Sequence, residues 1–166
     1  MQHKQMYKDK KLRVISYGLG PIGVKAVQIV LDSERLQMVG AIDIDEEKVG
    51  KDVGNLLTLN RETGIFVSNN SHKVFSDTYA DVVLHATGSR LDKVYPQIQD
   101  IVSAGLNCVS SCEELFSPYA KYPDLSQKID KAAKEHNATV VGTGVNPGFV
   151  MDTLPLFLTG VCERIR

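Results

Sequence analysis

A glycine-rich turn, Gly18-x-Gly20-x-x-Gly23, directly follows the apolar stretch 12–16 and opens into a segment of helical periodicity. Few local patterns restrict a chain so tightly, because each glycine has its own physical task. Gly18 permits the tight turn, Gly20 lets an anion approach the backbone with no Cβ in the way, and Gly23 allows the helix to pack closely on the strand. The start of that helix offers unpaired N–H groups and the positive end of its dipole. Pro21 suits the first helical turn but removes one donor, so Ile22 and the preceding turn must supply the contacts. The competing reading is a ligand-free strand-to-helix turn.

Asp43 ends the next apolar segment, twenty positions after Gly23. A dinucleotide site places an acid there to hydrogen-bond the ribose hydroxyls of the adenosine half. Its carboxylate repels a 2′-phosphate, which favours NAD. Asp45 could take the same role, Asp43 could instead be a loop cap, and the nearby Lys48 and Lys51 keep NADP open.

At 166 residues, with 43% hydrophobic and 23% charged content, the chain has the composition of one soluble domain. A domain of this size buries roughly 70% of the surface exposed when unfolded, which requires no metal or disulfide staple and leaves no room for a compact two-domain enzyme. Short apolar runs alternate with helical stripes from end to end. That alternation predicts an α/β fold, a Rossmann-type doubly wound and mainly parallel sheet, over residues 12–150.

Strands are expected at 12–16, 37–42, 64–68, 81–86, 107–110 and 138–141. The continuous run Val82, Val83, Leu84 suits a strand covered on both faces. Ile22, Ala26, Val27, Ile29 and Val30 form the first helical stripe, and 48–57 is read as a short helix. Pro96 is placed at the first position of a further helix, with Ile98, Ile101 and Val102 on its buried face and Gly105 as its C-terminal cap. Leu125, Ile129, Ala132, Ala133 and His136 mark the next. Residues 151–166 read as the start of a connection to a substrate domain that is absent.

The net charge of -1 gives no polyanion footprint, so nucleic acid is not an expected partner. Residues 1–11 form a basic lead-in carrying Lys4, Lys8, Lys10 and Lys11. They lack the apolar run of a secretory signal, and no stretch is apolar for long enough to span a membrane. With the odd cysteines Cys108, Cys112 and Cys162, this points to a cytoplasmic protein without disulfides. His3, His72, His85 and His136 match no metal-ligand spacing, so no metal is expected.

Three further segments end strands on the side where a ligand should lie. Ala86, Thr87 and Gly88 are expected to border the nicotinamide half, unless they form a simple turn. Ser110 leads into Cys112, Glu113 and Glu114, and the third segment runs from Gly142 to Phe149. The adjacent Glu113 and Glu114 cannot both point into one cleft from a regular element; either is a candidate base if partial burial raises its pKa. Cys112 offers a different chemistry, the nucleophile of an acylating semialdehyde dehydrogenase, although no histidine is locally placed to activate it. A third class is a non-catalytic nucleotide-binding or sensor module.

Together GLGPIG at 18–23, AIDID at 41–45, ATGSRL at 86–91, SSCEEL at 110–115 and GTGVNPGF at 142–149 resemble the amino-terminal half of the 2,4-diaminopentanoate dehydrogenase family. That family is similar, in its nucleotide-binding domain, to dihydrodipicolinate reductase. The resemblance implies NAD(P)-dependent oxidative deamination of a small primary amine in amino-acid catabolism, yielding a ketone, ammonia and reduced cofactor. It also implies that Glu113, or less favourably Glu114, positions the water, and that Asn146, Pro147 and Gly148 line the nicotinamide and substrate side. Family members are roughly twice as long, in the usual pattern of a nucleotide domain with an added substrate domain. The chain is therefore expected to bind dinucleotide with little or no turnover, and the full-length protein to form a homo-oligomer.

Overall fold

The computed structural model describes residues 10–59 and 62–165. Its centre is one six-stranded, all-parallel sheet in the order β3-β2-β1-β4-β5-β6. The strands are β1 (Leu12–Tyr17), β2 (Leu36–Ile42), β3 (Val67–Ser68), β4 (Val82–His85), β5 (Asn107–Ser110) and β6 (Val140–Gly142). The helices are α1 (Pro21–Asp32), α2 (Val53–Leu56), α3 (Ser71–Asp77), α4 (Leu91–Ser103), α5 (Pro123–Glu135) and α6 (Leu154–Thr159). This is the Rossmann-type doubly wound arrangement expected from the alternation of apolar runs and helical stripes.

Successive strand residues point to opposite faces, and the core divides accordingly. Val14, Met38 and Ala41 meet Val27 and Val30 of α1 and Val53 of α2 on one face. Ile15, Ile42 and Val83 meet Ile98, Ile101 and Val102 of α4 and Ile129 of α5 on the other. Strand order reverses between β1 and β4, because the chain winds outward from β1 through β2 and β3 and then returns to β4. Such a reversal leaves a crevice at the carboxyl ends of the strands.

Several expected elements shift. Helix α4 begins at Leu91, so Pro96 lies inside it rather than at its start. The proline nitrogen has no hydrogen to give the Asp92 carbonyl, and the apolar face of Leu91, Val94, Ile98 and Ile101 holds the helix together across the gap. On α1 the buried stripe is Gly23, Val27 and Val30, whereas Ile22 and Ile29, seven residues apart, lie exposed on another side. The third strand shrinks to two residues, and α2 to one turn begun by Asp52, whose carboxylate accepts the Gly54 N–H. Helix α3 was not expected; Asn70 caps it by accepting the Lys73 N–H.

Residues 1–9 of the basic lead-in lie outside the described residues. Lys10 and Arg13 both stand over the Tyr79 ring, at 5.3 and 5.1 Å. Among the described residues, no helix is long and apolar enough to cross a membrane.

Candidate functional site

The β1–α1 turn shows why its glycines are where they are. Gly18 has φ +96°, and a Cβ there would lie 2.5 Å from the Ala86 carbonyl oxygen. A Cβ on Gly23 would lie 1.9 Å from the Gly18 carbonyl oxygen. Gly20 is different, with nothing within 4 Å of the position its Cβ would take. Two glycines thus close the turn on the protein itself, and the third leaves open space in front of the α1 N-terminus. Pro21 is the first residue of α1, the position that tolerates a missing donor.

A crevice of about 250 Å³ opens at this point. Gly18 and Gly20 form its floor; Asp43, Ile44 and Lys48 flank it from the β2 end, and Tyr17, Ala86, Thr87 and Gln97 from the β1 and β4 ends. Of the residues singled out in the sequence, Gly18, Gly20, Asp43, Ala86 and Thr87 therefore converge on one cavity. Pro21, Ile22 and Gly23 continue along the start of α1 behind it, and Gly88 is exposed beside Thr87.

Asp43 is 8% exposed and already engaged. Its Oδ2 accepts the Leu19 N–H at 2.6 Å and its Oδ1 the Asp45 N–H at 2.9 Å. The carboxylate thus fixes the glycine turn. A carboxylate has about four lone-pair sites, so capacity remains for a pair of hydroxyls. Lys48 stands 3.5 Å from Asp43 and 3.0 Å from Asp45, which leaves the local charge at the β2 end negative.

Ser110 does not reach the crevice surface: it is fully buried, its Oγ 2.8 Å from His85 Nδ1 and accepting the Cys112 N–H at 3.1 Å. Pro147 is likewise packed inside, after a cis Asn146–Pro147 bond. These residues belong to Val145–Thr153, which winds in wide turns broken by non-helical angles at Asn146, Pro147 and Gly148. Asn146 is exposed and Gly148 half-buried, with the Gly148 N–H given to Asp152 at 2.8 Å. Neither of them lines the crevice between the first and fourth strands.

The two adjacent carboxylates diverge. They share a short 3₁₀ turn, Glu113–Leu115, after β5. Glu114 accepts the Leu91 N–H and the Tyr122 hydroxyl, both at 2.8 Å, and pairs with Lys121. The Lys121 ammonium, with those two donors, lowers its pKa to about 2, opposite to the rise a general base requires. Glu113 is exposed, with only a long 3.5 Å approach from the Ser89 hydroxyl. Cys112 is fully buried; its thiol donates to the Ser89 carbonyl at 3.2 Å and burial pushes its pKa up. An inaccessible, protonated thiol cannot serve as the nucleophile of an acylating enzyme.

Tyr17, Ile44, Lys48 and Gln97 also line the crevice, and of these only Lys48 was singled out beforehand, as a charge near Asp43. Lys48 and Ile44 follow Asp43 closely enough to be suspected. Gln97 arrives only because α4 packs back against the end of β4. His85 stacks edge-on against Tyr17, centroids 5.6 Å apart, and is 1% exposed. Burial lowers its pKa and keeps the imidazole neutral. Among the described residues, no group of three His, Cys, Asp or Glu side chains could hold a metal ion.

Residues 12–112, from the start of β1 to the turn after β5, match the family described as dihydrodipicolinate reductase, N-terminus. The chain is 33% identical over 157 residues to 2,4-diaminopentanoate dehydrogenase from Acetoanaerobium sticklandii, covering 95% of this chain and 44% of that protein. It is 28% identical over 156 residues to an amine dehydrogenase from Streptomyces virginiae, covering 93% and 43% respectively. A solved amine dehydrogenase from Mycobacterium smegmatis superposes with a TM-score of 0.87 at 33% identity, covering 96% of this chain and 46% of that one. The chain spans under half the length of these relatives. Because the matched stretch contains the glycine turn, Asp43, the β4 end and the β5 end as one unit, the chain belongs to the dihydrodipicolinate reductase N-terminal family.

Proposed function

We propose that this chain is the dinucleotide-binding part of an NAD(P)-dependent amine dehydrogenase that deaminates 2,4-diaminopentanoate or a similar small primary amine. The observation that carries the reading is the open space at Gly20, facing the α1 N-terminus between Asp43 on one side and Thr87 on the other. A pyrophosphate suits that position, since the helix end supplies N–H donors and favourable dipole charge. The similarity to 2,4-diaminopentanoate and amine dehydrogenases over most of the chain supports the amine as substrate class.

The chemistry that the nicotinamide supplies when bound is acceptance of hydride from the carbon bearing the amine. What this chain contributes is binding and orientation. Asp43, negative and nearly buried, offers its remaining lone pairs to the adenosine ribose and disfavours a 2′-phosphate, so NAD is the preferred cofactor. Lys48 does not reverse this, because two carboxylates already neutralise it. Thr87 and Gly88 stand on the nicotinamide side. Glu113, which pairs with no lysine or arginine among the described residues, is the carboxylate assigned to position the water that releases ammonia. Asn146, exposed after β6, is assigned to the substrate side.

Titration of the chain with NAD and NADP while following thermal unfolding tests this reading. A ligand at 100 times its Kd stabilises the fold by about 2.7 kcal/mol, so NAD should raise the melting temperature, and NADP should do so only at higher concentration. No stabilisation by either would overturn the assignment. Turnover of 2,4-diaminopentanoate by these 166 residues alone is expected to be low or absent.

A further inference from the structure

Gln97 and His85 are polar groups at the crevice for which the turn and Asp43 give no role. Gln97 is half-buried on α4 and lines the crevice beside Thr87. Its Oε1 lies 2.5 Å from Thr87 Oγ1 and 2.9 Å from His85 Nε2, and Nε2 is 2.8 Å from the same Thr87 oxygen. Behind them, His85 Nδ1 meets Ser110 Oγ, which already accepts the Cys112 N–H.

The protons of this set can be placed by counting from its buried end. Ser110 has one hydroxyl proton and is fully buried, so that proton needs an acceptor inside the protein. His85 Nδ1 is the acceptor beside it, which puts the neutral imidazole's proton on Nε2. Nε2–H is then shared between Thr87 Oγ1 and Gln97 Oε1, and the Thr87 hydroxyl donates to Gln97 Oε1. Rotating the Gln97 amide by half a turn would require Nδ1–H and strand the Ser110 proton. Among the described residues two groups remain uncommitted, the Gln97 amide N–H donors and the second lone pair of Thr87 Oγ1, and both belong to crevice-lining side chains.

We infer that Gln97 and Thr87, oriented by His85, form a subsite for the vicinal hydroxyls of the ribose on the nicotinamide side of the dinucleotide. A ribose diol both donates and accepts, matching one donor set beside one acceptor; a phosphate would leave the Thr87 lone pair opposed to another lone pair. Position agrees. Asp43 follows β2 and Thr87 follows β4, on opposite flanks of β1 and its glycine turn, so the two riboses of one dinucleotide straddling that turn would meet one site each. His85 is a positioning residue here, since it touches no ligand and holds Gln97 in one orientation.

The subsite rests on the dinucleotide reading above, and the test separates the two. Affinities of NAD, ADP-ribose and ADP are measured by calorimetry on the native chain and on Gln97→Met, with Thr87→Val as a second variant should the first fail to fold. ADP retains adenosine and both phosphates but lacks the second ribose. The expected result is a roughly tenfold loss for NAD and for ADP-ribose, the effect of one or two lost hydrogen bonds, with ADP unchanged within about twofold. Equal losses for all three ligands, or no loss for any, overturn the subsite while leaving dinucleotide binding intact. Failure of the native chain to bind any of the three overturns the dinucleotide reading itself. Histidine ¹⁵N shifts should report the Nε2–H tautomer for His85; an Nδ1–H tautomer would reverse the Gln97 amide and overturn the assignment.

Discussion

Gly20 and Gly23 sit three residues apart in one turn and should respond oppositely to the same change. Gly23→Ala puts a methyl group 1.9 Å from a backbone oxygen, which neither side can avoid without moving α1 off β1. A loss of about 1–3 kcal/mol, the range for overpacking, is expected in urea unfolding. Gly20→Ala meets open space, so unfolding should change by less than about 1 kcal/mol, while NAD affinity falls. Equal stability losses for the two would contradict the division of labour in the turn. Thiol chemistry offers a second check: Cys162 is exposed, Cys112 is buried, and burial pushes Cys108 up to about 12. A disulfide reagent should therefore modify one thiol rapidly in the native chain and the other two only on unfolding. The glycines and Asp43 could be read from the sequence because spacing and position within a βαβ unit carry their meaning. The second duty of Asp43, holding the Leu19 N–H, could not, nor could the burial of Ser110 or the arrival of Gln97 at the crevice. Each depends on contacts between elements that periodicity does not encode.

Helix α4 illustrates the same limit one level up. Its apolar face was legible, but its first turn was not, because Arg90 provides no side-chain cap and Pro96 resembles a start signal. The cap comes from outside the helix, where Glu114 accepts the Leu91 N–H from the turn after β5. Helix α3 went unread altogether, and its Asn70 cap, which accepts the Lys73 N–H, is seen only in the structure. Because Glu114 has its pKa lowered to about 2 from an ordinary 4.5, its ionised form stabilises the fold fully above about pH 4.5. That contribution is lost as pH falls from there toward 2. Glu114→Gln keeps an acceptor for Leu91 but removes the charge facing Lys121. Melting temperatures taken between pH 5 and 3 should fall more steeply for the native chain than for this variant, and parallel curves would exclude the role.

The doubly wound, mainly parallel sheet was legible in the alternation of elements, and the strand order, with its reversal between β1 and β4, is what the structure adds. The surface that follows β6 was less legible. Val145, Met151, Leu156, Phe157, Leu158 and Val161 are all more than 60% exposed, leaving an apolar patch open to solvent. The isolated chain should therefore associate with itself as concentration rises, and Leu156→Glu with Phe157→Ser should shift its sedimentation toward monomer. Unchanged sedimentation would show that the patch is not sticky. The pairing of β1 with β4 has a different consequence. Ala86 gives its N–H to the Tyr17 carbonyl at 2.7 Å from a distant part of the chain, so the crevice that both residues line is a seam joining two long halves of the polypeptide. A molecule lying across that seam would act as a clasp, and protease resistance conferred by it should extend to linkers on both sides, far beyond the residues it touches.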